Sequence, residues 1–208
     1  MQAATVSRRA ERRAATRDAI VAGTLSLVAE GGYGAAAMHD VARRAGVATG
    51  SRYRHFPSKG ELLARVFEEA AGHELALVDD IAGDASRPPV ERLAAALETF
   101  ARRALAAPRL AYALMAEPVD PAVEAARLEN KRAYQRVFAQ LLDEAVAAGE
   151  TPALDTGLAA AAIIGAFQEA LIGPLSRAHT PPAADSVVAG LVTFTLNAVG
   201  AQHGHDPS

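Results

Sequence analysis

The chain has 208 residues, half of them hydrophobic and 5% aromatic, with no cysteine and a formal net charge of −3. This length accommodates one or two domains with a substantial core. Without cysteine the chain forms no disulfide and has no thiolate chemistry, so the cytoplasm is the expected location. The longest stretch free of charged or strongly polar side chains, residues 157–167, is shorter than the roughly 18 residues of a membrane span. We therefore expect no membrane helix, and the charged N-terminus does not have the pattern of a secretory signal.

Charge is distributed unevenly along the chain. Residues 1–60 hold ten Lys or Arg and four Asp or Glu, a balance of +6, whereas residues 61–208 hold eleven and twenty, a balance of −9. A basic segment beside an acidic remainder predicts a polyanionic partner for the first segment alone. The alternative is an ordinary solvent-exposed helix face.

Apolar residues recur at helical spacing along the whole chain, which predicts an all-α fold of about nine helices. Residues 1–15 form a basic arm, and a helix follows from residue 16 to Glu30, where two glycines stop it. A short amphipathic helix then ends at Gly46, and a third helix of about two turns ends before Pro57. Two short helices separated by a turn containing glycine form a helix-turn-helix, whose second helix can enter the major groove of DNA.

Capping residues mark the starts of later helices. Ser58, with Glu61 three residues on, has the pattern of a capping box that starts a long helix at Lys59. Asp120 before Pro121 predicts another start, because Asp caps helices and Pro favours the first helical position. The further helices are expected over about residues 59–79, 89–107, 109–117, 121–148, 155–176 and 185–200, followed by a tail at residues 202–208.

The last two predicted helices, residues 155–176 and 185–200, are apolar on more than one face. A helix that is apolar all round needs cover on all sides. In a chain of this size a second copy is a natural source of that cover, and two-fold dimers are the commonest form. We therefore expect a homodimer through these two helices.

The stretch GVATGSRYRHFPSK, residues 46–59, combines small residues, bases and aromatics at the second helix of the helix-turn-helix. Small residues at its start would let the helix approach a phosphate or a base edge, and free helix amides there favour an anion. Arginine can pair with guanine, and tyrosine can donate to phosphate. A solvated helical hairpin without a DNA-binding role is the alternative.

Residues 16–67 resemble the N-terminal DNA-binding domain of the tetracycline-repressor (TetR) family of bacterial transcriptional regulators. The resemblance is carried by EGGYG after the first helix, DVARRAGV through the turn, GSRYRHF in the recognition helix and PSKGELL at the start of the next helix. It implies an all-helical homodimer whose N-terminal domain, residues 16–60, binds a palindromic double-stranded DNA operator. It also implies that the larger C-terminal domain, residues 61–201, binds a small effector that releases a repressor from DNA.

Matched by position, the resemblance implies a set of residues near DNA. Arg52 departs from the family pattern, which has an apolar residue there, so it is either an additional base contact or a solvated side chain. Ala37 and Ala48 stand where the family often has a hydroxyl residue, so one cap or phosphate contact is missing at each. The DNA-binding set is Arg43, Arg44, Thr49, Gly50, Ser51, Arg52, Tyr53, His55 and Lys59, with Tyr53, His55 and Lys59 expected at phosphates.

The basic arm carries four arginines, and two interpretations of it stay open. It either follows the minor groove or the DNA backbone, as arms of other helix-turn-helix proteins do, or has no ordered structure. These arginines are Arg8, Arg9, Arg12 and Arg13.

Polar or aromatic side chains on the apolar stripes of the C-terminal domain are candidates for an effector pocket. The two amides among them are the most informative, because a buried amide needs partners that an effector could supply. Plain core packing is the alternative for every one. Few charges lie on these stripes, which favours an apolar effector. The candidates are Phe100, Tyr112, Met115, Asn130, Tyr134, Phe138 and Gln168.

The chain has no nucleophile elbow, no phosphate-binding glycine loop, no HExxH and no paired cysteines. His203 and His205 could hold a metal, but they lie in the terminal tail. We therefore expect neither an enzyme nor a cofactor nor a metal site. A helical ligand-binding or adaptor protein without DNA binding remains the alternative to a regulator.

Lys59 provides a test of the DNA-binding interpretation. Because a phosphate contact is independent of base sequence, Lys59→Ala should weaken binding to all duplexes and lower the salt slope of binding by about 1. Fluorescence anisotropy over a salt series measures that slope. An unchanged slope would remove Lys59 from the interface.

Overall fold

The computed structural model describes residues 2–48, 54–176 and 183–201, apart from the side chains of residues 2–7 and 9. These residues form eight α-helices and one short 3-10 helix, Tyr33–Ala35, and contain no strand, so the all-α prediction is confirmed. The third predicted helix, within residues 48–56, lies mostly outside the described residues. The helices are α1 (Gln2–Gly31), α2 (Met38–Arg44), α3 (Lys59–Ala82), α4 (Pro89–Ala106), α5 (Pro108–Met115), α6 (Pro121–Ala147), α7 (Thr156–Leu175) and α8 (Ala184–Ala198).

The basic arm is part of α1. This helix begins at Gln2, whereas the sequence predicted a start near residue 16. Residues 2–15 contain neither glycine nor proline and are rich in alanine and arginine, which are strong helix formers. Nothing in the arm therefore interrupts the helix.

Side-chain caps are present at three helix starts, and two of them, Ser58 and Asp120, were predicted. The Ser58 hydroxyl accepts a hydrogen bond from the Glu61 N–H at 3.1 Å, which fixes the start of α3. Asp120 accepts from the Ala122 N–H at 2.9 Å at the start of α6. At the start of α7 the Asp155 carboxylate accepts from Leu158, also at 2.9 Å.

Two hydrophobic cores lie along the chain, and α5 contributes to both. The first joins α1, α2 and the N-terminal half of α3, and it includes Ile20, Phe56 and Leu62. The second joins the rest of α3 to α4, α6, α7 and α8. Ala113 of α5 packs into the first core and Ala111 into the second. A displacement of α5 would therefore affect both.

Arginines from other helices reach the carbonyl ends of three helices. Arg92 of α4 donates to the Ala82 carbonyl at the end of α3, at 2.7 Å. Arg127 of α6 donates to the Leu114 carbonyl in the last turn of α5, at 2.8 Å. Arg109 of α5 donates to the Gly31 carbonyl at the end of α1. The last carbonyls of a helix have no partner within it, and a cation at this end is favourable.

Helix α7 is long and apolar enough to cross a membrane by length and composition alone, although the sequence analysis expected no such helix. A core helix of a soluble protein meets the same criterion. Here α7 packs on α4, α5, α6 and α8, and one third of its apolar stretch is buried. Leu158 of α7 and Phe194 of α8 remain 68% and 58% exposed.

Leu142 of α6 tests the second core. Its side chain is fully buried, so Leu142→Ala should lower the free energy of unfolding by about 2–5 kcal/mol through lost burial and a residual cavity. Leu128 on the same helix is 48% exposed, and Leu128→Ala should change the free energy by less than about 0.5 kcal/mol. Urea unfolding at one protein concentration measures both, and equal losses would contradict this assignment of the core.

Candidate DNA-binding and effector sites

The turn after α2 directly precedes, in the sequence, the segment predicted to contact DNA. The Val47 N–H donates to the Ala42 carbonyl at 3.0 Å, and the Gly46 N–H donates to the Arg43 carbonyl at 3.3 Å. This pair of bonds is a Schellman motif, which needs a left-handed residue, and Gly46 has a φ of 66°. The segment that follows contains five of the predicted DNA-binding residues, Thr49, Gly50, Ser51, Arg52 and Tyr53, all outside the described residues.

Arg43 and Arg44 have different environments. The Arg44 guanidinium pairs with Glu30 of α1 through two bonds of 2.7 and 2.9 Å, and it also donates to Ser26. This pairing lowers the pKa of the Glu30 carboxyl. The Arg43 side chain is 78% exposed and pairs only one turn back along α2, with Asp40. Arg44 therefore links α2 to α1, whereas Arg43 is accessible to a phosphate.

A basic depression lies between α1 and His55, which precedes α3 in the sequence. Its wall includes Arg13, Arg17 and His55. The Arg17 guanidinium lies 4.9 Å from the ring centre of the buried Phe56, which holds it in place. His55 Nδ1 is buried and has no hydrogen-bond partner among the described residues. The basic arm thus meets the predicted phosphate contact at His55, while Lys59 is exposed at the first residue of α3.

Arg17 was missed in the sequence analysis. It stands four residues after Arg13, so the two share one helix face once the arm continues into α1. The spacing was visible in the sequence. The prediction that the helix starts at residue 16 separated the two arginines into different elements.

A cavity opens inside the C-terminal domain between α3, α4, α5, α6 and α7. Its volume, including the part open to solvent, is about 890 Å³. Most of its wall is apolar. The wall residues are Phe67, Ala71, Glu74, Leu97, Phe100, Arg103, Ala104, Ala107, Leu110, Ala111, Leu114, Met115, Arg127, Asn130, Lys131, Tyr134, Phe138, Ile163, Ile164, Phe167 and Gln168.

Six of the seven predicted effector residues lie in this wall. Tyr112 does not: on α5 the wall residues are Leu110, Ala111, Leu114 and Met115, and Tyr112 packs against the second core outside that face. The six residues in the wall are Phe100, Met115, Asn130, Tyr134, Phe138 and Gln168.

The charged residues of the wall were missed in the sequence analysis. Arg127 and Lys131 of α6 fall on the helix face of Asn130, Tyr134 and Phe138, at spacings of three and four. That periodicity was available in the sequence. The prediction was restricted to polar uncharged and aromatic residues and did not include them.

An interdomain contact joins α5 to the end of α1. Besides the Arg109 bond to the Gly31 carbonyl, the Glu117 carboxylate accepts a hydrogen bond from the Tyr33 N–H at 3.1 Å. Gly32 lies between them at a φ of 75°, and a Cβ there would overlap the side chains of Arg109 and Glu117. The contact therefore requires glycine at this position. Because α5 also forms cavity wall, this contact directly connects the cavity to the basic domain.

Comparison with known families identifies both parts of the chain. Residues 20–66 match the family described as "Bacterial regulatory proteins, tetR family", and residues 86–171 match "Tetracyclin repressor-like, C-terminal domain". The chain belongs to the TetR family. The two matches fall on the basic helix-turn-helix domain and on the domain that contains the cavity. The fold and family expected from the resemblance are thereby confirmed.

Individual relatives include the "HTH-type transcriptional repressor KstR" of Mycolicibacterium smegmatis, 42% identical over 80 residues, which is 37% of each protein. The chain spans less than half the length of the curated relatives it matches. A fatty acid degradation regulator, FadR from Bacillus halodurans, superposes with a TM-score of 0.73 at 23% identity over 86% of this chain and 97% of that one. FadR from Bacillus subtilis, solved in complex with stearoyl-CoA, gives 0.74 at 21% identity over 89% and 98%. At such identities the structural likeness shows a shared fold.

Substitution of each of the two arginines of α2 should have a different effect on stability and on DNA binding. Arg44→Ala removes the bonds to α1 and should lower the melting temperature. Arg43→Ala should leave the melting temperature unchanged but weaken DNA binding, with a salt slope lower by about 1 if one phosphate contact is lost. Thermal unfolding and anisotropy on the same samples measure both effects. The assignment fails if Arg43→Ala lowers the melting temperature as much as Arg44→Ala.

Proposed function

We propose that this TetR-family protein is a homodimeric transcriptional repressor that an apolar effector releases from a palindromic DNA operator. The observation that carries this proposal is that one helix, α5, both lines an apolar cavity and contacts the basic helix-turn-helix domain. The family and the relatives named as repressors support it. These relatives are named as regulators, which supports a function other than catalysis. We also propose a cytoplasmic location.

The N-terminal domain supplies the DNA-binding part of the proposal. Its bases include the exposed Arg43 of α2 and the Arg13, Arg17 and His55 side chains that line the basic depression. Phosphate contacts provide affinity that does not depend on sequence, and base contacts provide specificity. By resemblance to the family we place Thr49, Gly50 and Ser51 at the DNA interface and Tyr53 at a phosphate. Paired recognition helices require half-sites about one helical turn apart, roughly 34–36 Å, or a multiple of it.

The exposed apolar residues of α7 and α8 support the dimer. Leu158 and Phe194 are large and mostly exposed, which is unusual for a helix pair that otherwise packs in a core. A Cβ added at Gly165 or Gly190 would meet no atom within 4 Å, so these faces are open to close approach. A two-fold axis would place each such face against its counterpart. We propose that these faces form the dimer interface.

The cavity supports an effector whose main part is apolar. Its wall is mainly aliphatic and aromatic, and Lys131 has no ion pair among the described residues. The FadR of Bacillus subtilis, which shares the fold, was solved with stearoyl-CoA. A long-chain acyl-CoA is therefore the first effector class to test, with the acyl chain in the cavity and an anionic group near Lys131.

The proposed release mechanism is a shift between two conformations. Arg127 lines the cavity, and its guanidinium donates to the carbonyls of Leu114 and Glu117, which fixes the end of α5. Glu117 in turn holds the Tyr33 N–H in the N-terminal domain. An effector that prefers a displaced α5 weakens DNA binding by the difference in its affinity for the two conformations.

Selection of duplexes from a random pool, followed by titration with stearoyl-CoA, tests the proposal. We expect an enriched inverted repeat, a steep salt dependence, and release of the operator by stearoyl-CoA but not by free CoA, which lacks the apolar chain. A pool without enrichment would contradict the regulator. Enrichment with no response to acyl-CoA of any chain length would retain the regulator and exclude this effector class.

A further inference from the structure

The charged side chains in the cavity wall are largely paired within the protein. Arg103 makes a two-pronged ion pair with Glu74, one bond of which measures 2.7 Å. Arg127 donates to the carbonyls of Leu114 and Glu117 and to the carboxylate of Glu124. These groups have few donors left for a ligand.

Tyr134 is a buried polar group of this wall. Its side chain is 6% exposed, and its hydroxyl is buried without a hydrogen-bond partner among the described residues. Buried tyrosine hydroxyls usually find a partner, because the loss of hydration otherwise goes uncompensated. An unpaired donor in the wall of a cavity therefore indicates a partner that enters the cavity.

The position of this hydroxyl is fixed by aromatic neighbours. The Tyr134 ring meets Phe100 edge to face, with centroids 5.5 Å apart and planes at 74°, and its centroid lies 6.2 Å from that of Phe138. Phe100 also contacts Phe167, at 6.4 Å. The hydroxyl is thus held in place before any ligand binds, which lowers the entropy cost of binding.

The protonation of Tyr134 makes it a donor. Burial raises the pKa of its hydroxyl well above the usual range, and the nearby Glu74 carboxylate adds to the effect. The group therefore keeps its proton at physiological pH. A matching ligand atom must accept a hydrogen bond.

The charge around the hydroxyl determines which acceptor fits. Glu74 and Arg103 both lie close enough to affect Tyr134 electrostatically, and they neutralise each other. A carboxylate at this point would lose its hydration without gaining an unpaired cation. An uncharged oxygen has no such cost.

We propose that the Tyr134 hydroxyl recognises one uncharged acceptor oxygen, such as a ketone, ester or thioester carbonyl, in the apolar part of the effector. This inference rests on the proposed role of the cavity as the effector site. It assigns to Tyr134 the selection between apolar molecules that carry such an oxygen and those that lack it.

Tyr33 provides a matched control. Its hydroxyl is also buried without a partner among the described residues, but it lies in the first core and not in the cavity wall. Tyr33→Phe and Tyr134→Phe therefore make the same chemical change, and only the second should affect a ligand.

The test uses prodan, a fluorescent dimethylaminonaphthalene with a single ketone, and its analogue with a propyl group in place of the propionyl group. Prodan should bind Tyr134→Phe about 2- to 12-fold more weakly than wild type, the range expected for one neutral hydrogen bond. Its bound emission should move to shorter wavelength, because the ketone loses a donor. Tyr33→Phe should match wild type, and the propyl analogue should bind all three proteins equally.

Thermal unfolding without ligand completes the test. Tyr134→Phe should keep or raise the melting temperature, because it removes an unpaired buried hydroxyl. A clear loss of stability would show that the hydroxyl has a structural partner and would overturn the inference. Equal prodan affinity and emission in wild type and Tyr134→Phe would overturn it too, without affecting the operator-binding proposal. Failure of prodan to bind wild type would overturn both the inference and the role of the cavity as an effector site. The duplex selection tests operator binding separately.

Discussion

Arginine side chains that bond the free carbonyls of neighbouring helices hold this helical protein together. Each α-helix ends with carbonyls that have no partner within it, and burial of such an end is costly. Arg92, Arg109 and Arg127 supply donors to the ends of α3, α1 and α5 respectively. The guanidinium suits this role because it has five donors and stays charged when buried. The relative positions of five helices, α1, α3, α4, α5 and α6, therefore depend on three side chains.

The position of α5 follows from these bonds and determines how the two domains communicate. It is only eight residues long, too short to be stable alone, so its conformation depends on its neighbours. One face lines the cavity, and Ala113 on another packs into the core of the basic domain. Arg109 and Glu117, at or just beyond its ends, hold the end of α1 and the N–H of Tyr33. A ligand in the cavity thus contacts α5, which also packs against the basic domain.

Local features were predictable from sequence, and distant pairings were not. The starts at Lys59 and Pro121 follow from a cap and its neighbours within a few residues, so the local pattern was sufficient to predict them. The true start of α1 was missed because the charged arm was interpreted as a separate segment before the helix, whereas the helix includes it.

The cavity shows the same division. The wall residues on α6 share one helix face, and the helical periodicity of the sequence is sufficient to predict that grouping. Tyr112 of the short α5 lies outside the cavity wall, and the cavity's ion pair joins Arg103 to Glu74, 29 residues away. No local pattern indicates such a partner.

The interdomain contact has an evolutionary consequence. The partners of Arg109 and Glu117 in the basic domain are a carbonyl and an N–H of the main chain, which almost every amino acid presents. Communication between the domains therefore constrains few side chains, chiefly Arg109, Glu117 and the glycine at position 32. The cavity wall can accumulate substitutions and acquire new chemical preferences while transmission to the basic domain persists. Such an architecture allows one regulatory device to diversify across many small molecules.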